Sequence, residues 1–262
     1  MMDNLAEKFE RIGARLVVTR AARRRQPQPS RTAAKPFDLD VRRDAKGEHF
    51  TLRVFDPAQE FRVLQANAAA RHLLLYAPGA GPRDAGERFL CGHDERHWFV
   101  AAVKDRVSNI TAAKRSLLPD ALKDAGLTPD DLARRHTAAF KRQGEWFFVP
   151  TDKDLSGKPI LRGEPLLRGR NGKPHVASEL VRFGGQMVVL SGGTEYTPEA
   201  FEAACAANPE LRQRNARRMV KDAEVYVRGP VRHRDHATLV LDGWHRVYVN
   251  GEALSENMSF YD

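Results

Sequence analysis

His233 and His236 are separated only by Arg234 and Asp235. If Arg234-Asp235 is the tip of a tight turn, the two imidazoles become cross-strand neighbours, with Cβ atoms roughly 5 Å apart. Imidazoles that close can hold a metal ion, bind a phosphate or pass a proton near neutral pH. The stretch Asn171-Gly172-Lys173-Pro174-His175 adds a third imidazole on a glycine- and proline-bounded loop. His175, His233 and His236 are therefore the candidate catalytic residues. Arg232 and Arg234 flank the pair and favour a phosphate as the bound group. Histidine pairs cleave RNA by acid–base chemistry without a metal. A metal would need a further ligand, for which Asp235 is available. No cofactor is expected on this reading, with zinc as the alternative. Asp242-Gly243 lies between apolar runs and predicts a two-residue hairpin. That register puts His245 four pairing steps from His236, at about 3.3 Å per residue, too far to share one ion.

"CGHDERHWF" places Cys91, His93 and His97 around a charged turn. These are candidate zinc ligands, although the spacing matches no established zinc pattern. The chain's two cysteines, Cys91 and Cys205, are far apart and make no disulfide framework. Cys205 sits in an alanine-rich helical pattern and reads as a small buried residue. The glycines of "GAGPRDAG" lack the lysine and following helix of a phosphate-binding loop. No serine is flanked as a nucleophile elbow. Acidic residues are scattered, which disfavours a two-metal carboxylate nuclease.

The net charge of +9 points to nucleic acid or another polyanion as partner. Between Arg11 and Phe37 there are eight basic residues and no acid. Arg20, Arg23, Arg24, Arg25 and Arg31 are the phosphate-contact candidates of this arm. Arg214, Arg217, Arg218 and Lys221 are three or four apart and would share one face of a helix. Arg232 and Arg234 continue the positive run, and Trp244 beside the expected hairpin could stack on a base. No helix-turn-helix or zinc-finger pattern would read a major groove, so RNA is favoured over DNA. The reading is a nucleic-acid-binding protein, RNA-binding or part of a ribonucleoprotein. The alternatives are a histidine-dependent nuclease or other hydrolase, and a structural subunit of a larger assembly.

These residues need a scaffold. Leu5, Phe9, Ile12 and Leu16 recur at helical intervals behind Asp3, predicting an amphipathic helix that needs a partner surface and could dock a protein partner. Residues 1–36 then read as this helix plus a flexible basic arm through "RRRQPQPSR". From Phe37 to residue 106, alternating stretches predict about six short strands in an antiparallel meander. Residues 107–140 read as a helical connector. Thr128, Pro129, Asp130 and Asp131 mark its clearest helix start. Residues 141–262 read as a second β-rich domain with inserted helices, including a hairpin at Gly184-Gly185. The expected fold is α+β: two small antiparallel β-rich domains joined by a helical segment. At 42% hydrophobic residues the chain can build a core. No apolar stretch is long enough to span a bilayer, and the N-terminus is polar, so a cytoplasmic, non-membrane protein is expected.

The run "QGEWFFVP … GRNGKPHV … YVRGPVRHRDHATLVLDGWHRV" resembles a group of small bacterial and phage β-rich proteins. The group carries a "GD-x-aliphatic … P" strand, a "GHAH"-like loop and an "H-x-x-H-x-x-aliphatic-x-L" segment. Gly144, Glu145 and Pro150 occupy the first, His175 the second, and His233, His236, Leu239 and Leu241 the third. "NGKPH" stands where the group has "GHAH", so one histidine is missing. The group brings no established activity. The resemblance implies that His175, His233 and His236 meet in space, without naming their chemistry.

Overall fold

The structure is a computed structural model describing residues 3–20, 35–79, 81, 84–166, 174–213, 215–253, 255 and 258. It is a mixed α+β protein of about 47% strand and 16% helix. Helix α1 (Asp3–Glu10) precedes β1 (Leu16–Arg20), β2 (Phe37–Asp44) and β3 (Gly47–Val54). These strands form a sheet ordered β1-β3-β2, with β1 parallel to β3. β4 (Arg62–Asn67), β5 (His72–Ala77), β6 (Glu87–Asp94) and β7 (His97–Val103) form an antiparallel meander in chain order. Period-two alternation explains how this meander packs. Leu73, Leu75, Phe89 and Cys91 face a core shared with β2, β3 and α1. Leu74, Leu90 and Ala101 face the opposite way, onto α2 (Ile110–Ser116).

α2, α3 (Asp120–Lys123) and α4 (Pro129–Ala133) occupy the expected helical stretch. Thr128 and Asp131 make the reciprocal capping bonds their spacing predicts. β8 (Lys141–Gln143), β9 (Trp146–Pro150), β10 (Leu161–Leu166), β11 (His175–Phe183), β15 (Glu224–Arg232) and β16 (Leu239–Val249) form a six-stranded sheet ordered β10-β11-β15-β16-β9-β8. One face holds Phe148, Leu180, Val227 and Val231, and Phe147 on the other packs on Leu118, Leu122 and Phe140. β12 (Gln186–Ser191), β13 (Thr194–Tyr196) and β14 (Arg217–Lys221) make a small sheet ordered β13-β12-β14. α5 (Pro198–Ala207) covers it with Phe201 and Cys205.

Five expectations change. The N-terminal helix stops at Glu10, and Leu16 and Arg20 belong to β1, where pairing with Phe50 through Val54 outweighs the helical spacing. The apolar face of α1 needs no external partner, because Leu5, Phe9 and Ile12 are buried and Phe9 meets Phe50 edge-on at 5.0 Å. Gly184-Gly185 is no hairpin: β11 pairs β10 and β15, whereas β12 pairs β13 and β14. A Cβ on Gly185 would lie 2.6 Å from Val220 Cγ1, so the glycine lets the chain leave one sheet and pass close under the other.

Asp242-Gly243 is no hairpin either. β16 runs through it, and the chain reverses earlier, between Arg232 and Leu239. The register pairs Val227 with His245 and Gly229 with Leu241, so Asp242, Gly243 and Trp244 bulge opposite Arg228. Finally, the arginine helix is a strand. A short 3-10 turn covers Pro209–Gln213, and Arg217, Arg218 and Lys221 lie on β14, with Met219 opposite Val188 of β12.

Candidate functional site

The site forms at one end of the six-stranded sheet. β11 and β15 pair Val176 with Arg232, so extending this register by one step sets His175 against His233. The Arg232–Leu239 turn then brings back His236. The rings form a compact stack, with centroids 4.3 Å apart for His175–His233, 4.6 Å for His233–His236 and 5.6 Å for His175–His236. One ligand nitrogen from each can be chosen so that all lie within 4.8 Å of one another. Among the described residues this is the one cluster of three or more metal-capable side chains. His245 is elsewhere, although not on the hairpin register from which it was excluded: it is buried and hydrogen-bonded to Gly243 O at 3.1 Å.

Two further segments clamp the trio. Gln143 and Trp146 pair across the turn Gly144-Glu145. The Gln143 amide donates to Ala237 O at 2.5 Å, tying this turn to the histidine turn. Gly144 has a φ of +56°, and a Cβ there would approach His236 Nε2 to 3.7 Å and His175 Cε1 to 3.8 Å. The second clamp is the β6–β7 hairpin tip. Glu95 takes a left-handed φ of 49°, and its carboxylate accepts from His236 Nδ1 at 2.7 Å. Arg135 holds the same tip through Asp94 at 2.6 Å and Glu95 at 2.9 Å, and Arg142 reaches Asp94 at 3.0 Å. Nothing in the sequence around Glu95 signalled this role.

The protonation pattern follows from these contacts. The bond from His236 Nδ1 to the Glu95 carboxylate occupies Nδ1, so Nε2 is the nitrogen a metal would use. His233 Nδ1 accepts the Asp235 amide at 3.2 Å, a long bond that is weak enough to yield. His175 is only 2% exposed, and neither of its ring nitrogens has a hydrogen-bond partner among the described residues. Burial, then the charges of His233 and His236, pull its pKa down to about 3. His175 is thus a neutral imidazole with an uncommitted lone pair at any physiological pH.

Three imidazoles are a donor set of the zinc type, but the rings lie at interplanar angles of 22°, 21° and 35°, so their in-plane lone pairs would have to turn toward one another to converge on an ion. Three imidazoles with an open fourth position is the arrangement of catalytic rather than structural zinc. Nitrogens now within 4.8 Å would have to close to about 3.3 Å to share one tetrahedral ion, a movement of up to about 1.5 Å. Glu95 would be the carboxylate partner that orients a ligating histidine. The trio opens into a cleft of about 1120 Å³ that also reaches Asp235, Glu145, Lys114 and Arg142.

The other candidates are placed differently. Cys91 is fully buried in the first core, and burial pushes its thiol pKa far up, so no thiolate is available. His93 stacks edge-on against Trp98 at 4.9 Å, and His97 bonds Glu48 at 2.6 Å. These three do not converge as metal ligands. Trp244 is half-buried beneath the Arg228 guanidinium, 4.6 Å from its ring centre, rather than presented to bases. Arg217, Arg218, Lys221, Arg232 and Arg234 are exposed, but Lys221 is paired with Glu195 at 2.8 Å. Arg20 is exposed at the end of β1. Arg23, Arg24, Arg25, Arg31 and Arg214 lie outside the described residues.

Among the described residues, no helix is long and apolar enough to cross a membrane. No family model matches the chain, and no curated protein or solved structure matches it.

Proposed function

We propose that this protein is a metal-dependent hydrolase whose centre is His175, His233 and His236. One observation carries the reading: His175 is buried with both ring nitrogens unpartnered among the described residues. Leaving such a group unsatisfied costs about 1–3 kcal/mol, and a metal ion bonded to one nitrogen offsets that cost. A divalent ion there supplies Lewis acidity at an open coordination position. The protein supplies the oriented imidazoles, with Glu95 fixing His236, and a cleft roomy enough for a substrate.

Nucleic-acid binding is a second reading, compatible with the first. Arg217 and Arg218 are exposed on β14 beside Met219 and Val220, and neither has an ion pair among the described residues. An RNA strand could lie along this edge through phosphate contacts and apolar stacking.

The test is calorimetric titration of chelator-treated protein with zinc, followed by an RNA cleavage assay on the loaded protein. One equivalent should bind, and His175→Ala, His233→Ala and His236→Ala should each abolish tight binding. Zinc binding that is absent, or indifferent to all three substitutions, overturns the metal centre. Loaded protein that cleaves neither RNA nor a simple ester overturns the hydrolase.

A further inference from the structure

Lys114 lies on α2 and lines the same cleft as the histidine trio. It is half-buried, and it has neither an ion pair nor a hydrogen bond among the described residues. Most other cations of the cleft are already neutralised. Arg135 is held by Asp94 and Glu95, Arg142 by Asp94, Arg43 by Glu48 and Arg42 by Asp40. A partly desolvated ammonium without a counter-ion is unfavourable, and a bound anion relieves it. Burial and the nearby Arg142 guanidinium both lower the Lys114 pKa, with Asp94 opposing them. Lys114 and Arg142 both line the cleft, and Arg142 is bonded to Asp94, next to the Glu95 that holds His236.

We propose that Lys114, together with Arg142 on the same cleft wall, is the anion subsite of the cleft, and that the substrate is a phosphate ester. The substrate class rests on the hydrolase reading; the anion subsite does not. Asp94 occupies one Arg142 nitrogen, and the guanidinium keeps further N–H donors. An ammonium together with a guanidinium suits the several oxygens and high charge of a phosphoryl group. His72 lines the same region but adds no charge: burial, then Lys114, lowers its pKa to about 4, and it bonds Ala70 O. The exposed Arg232 and Arg234 lie at the histidine turn, outside the lining of the cleft. With a phosphate ester placed between the cations and the trio, the cations would bind its non-bridging oxygens and a divalent ion held by the trio would supply Lewis acidity, so that water could attack phosphorus and the ester's alcohol leave.

The experiment is titration of the full chain with inorganic phosphate, before and after zinc loading, in the native protein, Lys114→Gln and Lys114→Arg. Lys114→Gln should weaken phosphate binding about ten- to a hundredfold, and Lys114→Arg should recover most of it. Zinc affinity should be the same in all three, because Lys114 touches no imidazole of the trio. Phosphate affinity that is equal in native protein and Lys114→Gln, or undetectable in both, overturns the subsite whatever zinc does. If zinc fails to bind while Lys114-dependent phosphate binding persists, the hydrolase and its phosphate-ester substrate fall and the anion subsite stands. A misfolded Lys114→Gln would show as a lowered melting temperature, and Lys114→Met then serves as the second neutral variant.

Discussion

At the scale of single residues, the stability of the fold and the metal-binding role proposed for His175 oppose one another. Its buried, unpartnered nitrogens lower the stability of the metal-free protein. His175→Leu removes those polar atoms while keeping an apolar group of similar bulk in the site. The metal-free variant should therefore match or exceed the native melting temperature, by on the order of 1 kcal/mol, yet gain nothing from zinc. A fall of more than about 2 kcal/mol, read by denaturant titration, would mean the imidazole is structural. Glu95 poses the complementary case. Glu95→Gln keeps a hydrogen-bond acceptor for His236 but removes its charge, and zinc affinity should fall about tenfold or more. Unchanged affinity in a zinc titration would remove Glu95 from the site. The histidines were legible in the sequence because two share a turn and one ends a loop. Glu95 was not, because its contact spans 141 positions and exists only once a distant hairpin docks.

At the scale of elements, local signals held where the local chain decides and failed where pairing decides. The strands of residues 37–103 alternate with period two, and Thr128 caps its own helix. Nothing in Arg217–Lys221 itself distinguishes a charged helix face from an edge strand; β12 supplies the hydrogen bonds that choose the strand. Leu16 fits a helical interval equally well, and β3 captures it as a parallel strand. Asp242-Gly243 has hairpin chemistry, but the reversal was already made at the histidine turn, leaving a bulge. The correction alters what the arginines can do. On a strand, Arg217 and Arg218 point to opposite faces, so they cannot make one continuous cationic stripe. If RNA follows the β14 edge, Arg217→Gln and Arg218→Gln should each reduce the salt dependence of binding by about one ion, without lowering the melting temperature. Equal salt slopes in filter-binding assays would take β14 out of the nucleic-acid surface.

At the scale of the whole molecule, the candidate centre joins parts of the chain that are otherwise separate in sequence. The histidines come from the six-stranded sheet, the orienting carboxylate from the four-stranded meander, and Arg135 from the segment between α4 and β8. A metal on the trio would strengthen contacts on both sides of the cleft, since His236 is held by Glu95 and Glu95 by Arg135. A ligand at a hundredfold excess over its dissociation constant stabilises the fold by about 2.7 kcal/mol. For a chain of this size that corresponds to a rise in melting temperature of roughly 5–10 °C. Calorimetry should record this rise with zinc and lose it with chelator. If the chain melts in two steps, both should move, because the meander takes part in the site through the Asp94-Glu95 tip. Glu95→Gln should then shrink the shift of the meander's step more than that of the six-stranded sheet, since the imidazoles remain on the latter. A zinc effect confined to one step, and identical in Glu95→Gln, would show that the hairpin tip rests against the site without contributing to it.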